Sequence, residues 1–257
     1  MILLERRKSV AIVILNRPAQ RNALSRAMIS ALTETFNSFK ADNELRAVIL
    51  TGAGEKAFCA GTDISELNSV PNEEDARSAS ERGQLLCDTI EHCPIPVIAA
   101  INGIAAGGGC ELALACHLRI AVSSAQFSLP ETMLGLIPAY GGTQRLPREV
   151  GPGPALEMML TGKTIDAQTA LQFGLVNQVV DANELLGRAE GLANEIAQLA
   201  PLAIRACLRA VVEGTQLPLA EGLALETKLF SELFSTEDMR EGTRAFLEKR
   251  QPIFKGS

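Results

Sequence analysis

Residues 102–116 read NGIAAGGGCELALAC and follow directly on the apolar run VIAAI at residues 97–101. That run has the length and apolar content of a buried strand, Asn102-Gly103 marks a turn, and Gly108 to Cys116 has the composition of a helix. Three consecutive glycines where a helix begins are costly, because an interior glycine loses about 0.5–1 kcal/mol relative to alanine. They are justified where the backbone must approach another group closely. A helix start beside them offers free N–H groups and partial positive charge, a natural place for an oxygen that gains negative charge. Glu111 follows on the first turn as the one charged residue of the stretch. An ionised carboxylate on so apolar a background needs a partner or acquires a raised pKa, and a raised pKa suits acid–base work near neutrality. The stretch alone equally fits a glutamate that caps its own helix or pairs with an arginine, with glycines that only permit close packing.

Working outward, strands and helices alternate. An apolar run at residues 10–15 stops at Asn16-Arg17-Pro18, apolar residues at helical spacing span residues 25–39, and AVILT at residues 47–51 predicts a second buried strand. A glycine-rich loop occupies residues 52–61. A polar segment at residues 72–81 precedes a predicted helix that ends near Cys93-Pro94, and residues 118–122 predict a further strand. This alternation implies a layered α/β core. From Pro152 onward the pattern is mostly helical, with a short strand candidate, LVNQVV, at residues 175–180, and with Pro201 opening a new helix. The segment 236–249 is amphipathic, and Ser235 with Asp238 reads as its N-terminal cap. The expected division is a core over residues 1–200 and a helical region over residues 201–257.

The 257 residues carry a net charge of −6, with 47% hydrophobic and 21% charged residues, which fits a folded chain with a sizeable core. Basic residues are scattered, so nucleic acid and anionic lipid are not expected partners. No apolar stretch approaches the roughly 18 residues that cross a bilayer, and the N-terminal residues read as a strand or hairpin, not a leader. Six cysteines without a C-x-x-C pair read as reduced, buried thiols of a cytoplasmic protein. The two histidines, His92 and His117, lack ligand spacing, so no metal is expected.

Three familiar motifs fail. TGAGEKA at residues 51–57 fits G-x-G-x-x-A, but a loop, not a helix, follows the glycines. TGKT at residues 161–164 has Glu157 where a phosphate-binding loop needs its first glycine. No G-x-S-x-G elbow presents a serine to either histidine. A second isolated carboxylate survives: Glu131 lies in the apolar, proline-bracketed stretch AQFSLPETMLGLIPAYGGTQRLPREVG. Spacing alone does not bring two residues 20 apart together, and Glu131 also fits an exposed loop.

The stretches AAINGIAAGGGCELALAC, FSLPETMLGLIPAYGGTQRLPR and AFCAGTDI, with RPAQRNALS upstream and EGTRAFLEKRQPIFKG at the end, resemble the crotonase superfamily, closest to the enoyl-CoA hydratases. The resemblance spans essentially the whole chain. It implies a spiral of ββα turns with a helical C-terminal region that builds trimers, commonly paired as hexamers. It further implies an oxyanion hole from the backbone N–H groups of Thr62 and Gly108, holding the thioester oxygen of an acyl-CoA. Glu111 and Glu131 match the paired hydratase glutamates, one activating water for attack at C3 and the other, assigned to Glu131, exchanging the C2 proton. No separate cofactor is implied, since coenzyme A belongs to the substrate.

By the same resemblance, Arg21, Ala23, Ala60, Asp63 and Ile64 line the CoA path, and Phe230, Phe246 and Lys249 reach CoA from the C-terminal helices, partly across a subunit interface. Both phenylalanines equally fit a helical core, and Lys249 a solvated surface charge. Four positions depart from the family pattern: Thr62 stands for a common alanine, Ser65 for a frequent lysine, His117 for a usual aspartate, and Tyr140 for a residue that is often small. His117 reads as structural, and Tyr140 as shaping the acyl pocket, which the resemblance builds from residues 68–86 and the Tyr140 region. Other chemistries of the superfamily are the alternatives, namely double-bond isomerisation or hydration of branched or aryl enoyl-CoA, with an RNA-binding relative as the non-enzymatic one. Two glutamates favour hydration.

Overall fold

The computed structural model describes residues 1–257. Its larger sheet has six strands in the order β1 (Ile2–Arg7), β2 (Val10–Leu15), β3 (Ala47–Gly52), β5 (Val97–Ile101), β7 (Leu118–Val122) and β10 (Gln178–Val180). The first pair is an antiparallel hairpin and every later neighbour is parallel. Strands β2 and β5 are continuous apolar runs, and β3 and β7 are apolar but for Thr51 and Arg119, because parallel strands are buried on both faces. Helix α8 (Leu185–Ala197) packs against these four strands.

A second, four-stranded sheet has the order β4 (Ala57–Cys59), β6 (Ile104–Ala106), β8 (Gln126–Ser128) and β9 (Ile165–Asp166). Its first three strands are parallel. The chain therefore steps from β3 to β4, β5 to β6 and β7 to β8, placing one strand in each sheet, and a helical segment follows each step. These segments are α2 (Ile64–Leu67) with α3 (Glu73–Glu91), α4 (Gly108–Leu114), and a 3-10 turn at Glu131–Leu134 with α5 (Gly142–Val150) and α6 (Pro152–Thr161). This is a spiral of ββα turns. After β9 come α7 (Ala167–Gln172), β10 and α8, and then α9 (Pro201–Gly214), α10 (Leu219–Leu233) and α11 (Glu237–Glu248).

Several expectations are corrected. The loop predicted over residues 52–61 contains β4. The polar segment at residues 72–81 is the first half of α3, with Asn72 capping it through a bond from Asp75 N–H (3.0 Å). Helix α11 is capped by Thr236, whose hydroxyl accepts from Met239 N–H (3.2 Å), so the cap lies one residue beyond Ser235. Phe230 and Phe246 are 62% and 83% exposed, which overturns their reading as helical core. His117 does act structurally: its Nδ1 accepts from Val97 N–H (2.9 Å) and its Nε2 lies 3.0 Å from the Glu91 carbonyl, so the proton sits on Nε2 and the ring ties the end of α3 to β5. Burial lowers its pKa and keeps it neutral.

One close approach fixes the spiral's centre. A Cβ on Gly109 would lie 2.0 Å from the Cys59 carbonyl oxygen, so α4 meets the end of β4 only through a bare Cα. Gly109→Ala should cost at least about 1–3 kcal/mol, read as a lower urea midpoint. Gly187→Ala, at an exposed position of α8 and with nothing within 4 Å of the added methyl, should gain about 0.5–1 kcal/mol. Equal midpoints for the two variants would contradict this packing.

Candidate active site

Because β4, β6 and β8 are adjacent and parallel, their carboxyl ends open on one edge of the smaller sheet. Thr62 follows the end of β4 by three residues, Gly108 the end of β6 by two, and Glu131 the end of β8 by three. Three segments far apart in sequence thus deliver their functional groups to one place, as ligand sites in parallel sheets generally arise.

The Thr62 segment is held by a bridge to Leu24: Leu24 N–H donates to Gly61 O (2.8 Å) and Asp63 N–H to Leu24 O (3.0 Å). The alternation of a parallel strand then turns the Thr62 N–H away from Leu24. A Cβ on Gly61 would lie 3.5 Å from Gly108 N, so this loop rests against the start of α4. Neither the Thr62 nor the Gly108 N–H donates to an acceptor within the chain. Two free donors, one at the positive end of a helix, thus lie side by side at the glycines.

Gly107 has φ +50°, open to glycine at little cost, and it turns the chain from β6 into α4. The Glu131 carboxylate reaches this turn, and Glu111 sits on the helix that follows it. A Cβ on Gly107 would lie 2.9 Å from Glu131 Oε1, and Glu111 N–H donates to Gly107 O (3.0 Å). Glu111 is 2% exposed, and its Oε1 accepts from Tyr140 N–H and Gly142 N–H, both at 2.7 Å. It therefore caps not its own helix but the start of α5. Burial pushes its pKa up to about 7; the Gly142 N–H opposes the shift, and the neighbouring Glu131 charge adds to it. Glu131 is half-buried, not the exposed loop residue that its surroundings also allowed. Its Oε2 is buried without a hydrogen-bond partner, and burial raises its pKa. An unpartnered buried carboxyl oxygen is costly unless a ligand or water completes it.

The other expected residues divide into two groups. Arg21, Ala23, Ala60 and Asp63 lie together beside the Thr62 loop: Ala60 N–H donates to Arg21 O (3.0 Å), and Arg17 donates to both Ala23 O (2.7 Å) and Asp63 Oδ2 (2.8 Å). Arg21 and Ile64 are exposed at its rim. Ser65 turns back to donate to Asp63 Oδ1 through N–H (3.2 Å) and Oγ (2.6 Å), and this contact, with Arg17, holds the Asp63 carboxyl below the usual range. Phe230, Phe246 and Lys249 instead stay on the exposed surface of α10 and the end of α11.

The sequence reading missed two residues that position the first group, Arg17 and the fully buried Asn22. The Asn22 side chain accepts from Arg17 N–H (3.0 Å) and donates to the Ala53 (3.0 Å) and Ala57 (2.8 Å) carbonyls. Both lie within or beside RPAQRNALS, but a polar residue in a polar stretch carries no sign of burial. Arg145 was also unassigned; it donates to Tyr140 O (3.0 Å) and bridges to Asp88 and Glu91 (each 2.6 Å), fixing the loop that holds Glu111.

A ββα spiral that carries two unpaired N–H groups beside one buried and one half-buried carboxyl group defines the class of protein to which the comparisons point. The sequence model of the enoyl-CoA hydratase/isomerase family matches residues 5–257, and the chain belongs to that family. It is 44% identical over 250 residues to a short-chain-enoyl-CoA hydratase of Clostridium acetobutylicum, covering 97% of this chain and 95% of that protein. It is 41% identical over 253 residues to a crotonyl-CoA hydratase of Syntrophomonas wolfei, covering 98% and 97%. The crystal structure of an enoyl-CoA hydratase from Bacillus anthracis superposes with a TM-score of 0.96 at 44% identity, over 100% of this chain and 99% of that one.

The raised Glu111 pKa has a consequence for stability. An unfolded glutamate titrates near 4.5 and this one at about 7, so between those values the folded state binds more protons and stability falls as pH rises. The contribution is complete below pH 4.5 and lost through pH 7. Glu111→Gln, which keeps an acceptor for Tyr140 and Gly142 but does not titrate, should gain stability relative to the parent as pH rises from 4.5 to 8, measured by urea midpoints. A relative gain that shrinks over this range would contradict the assignment.

Proposed function

We propose that the protein is an enoyl-CoA hydratase, adding water reversibly to a trans-2-enoyl-CoA to give a 3-hydroxyacyl-CoA. The observation that carries this reading is a pair of carboxyl groups with raised pKa values, Glu131 against Gly107 and Glu111 near enough to feel its charge, beside the free N–H groups of Thr62 and Gly108. The names and whole-length similarity of the relatives support the same reaction.

In this reading the thioester oxygen accepts from Thr62 N–H and Gly108 N–H, drawing electron density from the conjugated double bond and leaving C3 electrophilic. Glu111, with a pKa near 7, is ionised often enough at neutral pH to take a proton from water as the water oxygen bonds to C3. The π electrons move onto the thioester oxygen as an enolate, where each donor is worth about 2.7–4 kcal/mol in comparable sites. Glu131, whose pKa burial raises, supplies the proton that C2 takes up. The net change is one water added across C2 and C3, and a proton passing from Glu111 back to Glu131 through solvent restores the enzyme. No redox or metal step enters this balance.

Arg21, Ala23, Ala60, Asp63 and Ile64 are proposed to line the CoA path, with exposed Arg21 available to a phosphate. The exposed apolar residues Phe230 on α10, Phe234 just beyond its end, and Phe246 and Leu247 on α11 support self-association through residues 201–257 around a core of residues 1–200, as a trimer or a pair of trimers. In that assembly Phe230, Phe246 and Lys249 would reach a neighbour's CoA. Five of the six cysteines are buried, while Cys207 is exposed, contrary to the reading of all six as buried, and none is paired, in keeping with work in the cytoplasm. No helix is long and apolar enough to cross a membrane.

Glu111→Gln and Glu131→Gln should each lower kcat for crotonyl-CoA hydration about 10²–10⁴-fold, followed by loss of enoyl absorbance, with an unchanged fold by circular dichroism. Near-parental turnover in either variant would remove the two-carboxylate mechanism.

A further inference from the structure

We propose that Tyr140 is a rigid wall that closes the acyl pocket and restricts the protein to short-chain 2-enoyl thioesters, an inference that rests on the hydratase reading. The side chain is held on every side. Its ring is wedged between α3 and the start of α4: a Cβ on Gly83 would lie 2.0 Å from Cδ1, and one on Gly108 would lie 3.0 Å from Cε2. Its phenol oxygen accepts from the Thr62 hydroxyl (3.1 Å), its N–H donates to Glu111 Oε1 (2.7 Å), and its carbonyl accepts from Arg145 Nη1 (3.0 Å). Only 6% of the residue is exposed.

These contacts place the ring relative to the reacting atoms. The thioester oxygen is fixed at the Thr62 and Gly108 N–H groups, and C3 must come within reach of Glu111. Tyr140 touches all three residues, through the Thr62 hydroxyl, the Gly108 backbone and the Glu111 carboxylate. Carbons beyond C3 therefore leave the reacting centre beside the phenol ring, in the space bounded by Gly83 and Gly108. The ring fills that space. Gly83 is what makes room for it, since any side chain there would strike the ring. Swinging the ring away would forfeit the Thr62 bond and its contacts with both glycines, so the wall does not yield to a longer chain as a loose side chain would.

The test is kcat/KM for crotonyl-, trans-2-hexenoyl-, trans-2-octenoyl- and trans-2-decenoyl-CoA with the parent, Tyr140→Phe, Tyr140→Leu and Tyr140→Ala. The parent should decline steeply with length. Tyr140→Ala should raise the ratio of octenoyl to crotonyl kcat/KM at least about tenfold, because a closed pocket rejects each added methylene by a factor of that order or more. Tyr140→Phe keeps the ring and should keep the parent's length limit, while Tyr140→Leu should fall between and serves if the alanine variant does not fold. The ratio separates a wall from a general loss of activity, which would lower all four substrates together. A parent that hydrates decenoyl-CoA as well as crotonyl-CoA, or shortened variants whose ratio stays within about twofold of the parent's, would overturn the inference and leave the hydratase reading intact. A parent that hydrates none of the four overturns both.

Discussion

The start of α4 is pressed against the end of β4, and the rest of the site depends on that contact. Gly109 meets the Cys59 carbonyl with no room for a methyl group, and this sets Gly108 N beside the Gly61–Thr62 loop. Were the helix to sit further out, as an alanine would require, the two free N–H groups would be drawn apart. Oxyanion donors act only at hydrogen-bond distance from the charge that develops, so displacement of a fraction of an ångström removes much of their value. The parallel pairing of β4, β6 and β8 holds the same arrangement from below and brings Glu131 to it.

The two carboxyl groups occupy different states of satisfaction, and the difference matches their proposed roles. Glu111 has one oxygen tied by two backbone donors at the start of α5, so its position is fixed while burial keeps its pKa near neutrality. Glu131 has a buried oxygen with no partner. A group that is anchored but ionisable suits activation of water, and one that is desolvated and incomplete suits exchange of a proton with carbon. Arg145 supports Glu111 indirectly, because its bridges to Asp88 and Glu91 and its bond to Tyr140 O hold the loop on which the Glu111 donors sit.

The larger sheet was legible in the sequence because its central strands are five- or six-residue runs that are apolar but for Thr51 and Arg119. The smaller sheet was not. Its strands are two or three residues long, too short to carry a period, and β4 hides inside a glycine-rich loop. Yet these strands bring Thr62, Gly108 and Glu131 together, so the residues themselves show an anion corner and two isolated carboxylates but not that they meet. That pairing was available only through the resemblance to a family. The C-terminal phenylalanines show the opposite limit: helical spacing identifies an apolar face on α10 and α11 but does not say whether the same chain covers it.

The central claim is that the Thr62 and Gly108 N–H groups polarise a thioester carbonyl. The direct measurement is the infrared difference spectrum of butyryl-CoA, which is saturated and cannot react, labelled with carbon-13 at the thioester carbon and bound to the protein. Two charge-ordering donors at the oxygen predict a carbonyl stretch at lower wavenumber than that of the same thioester free in water. A bound ligand whose carbonyl band stays at the position found in water would contradict the account.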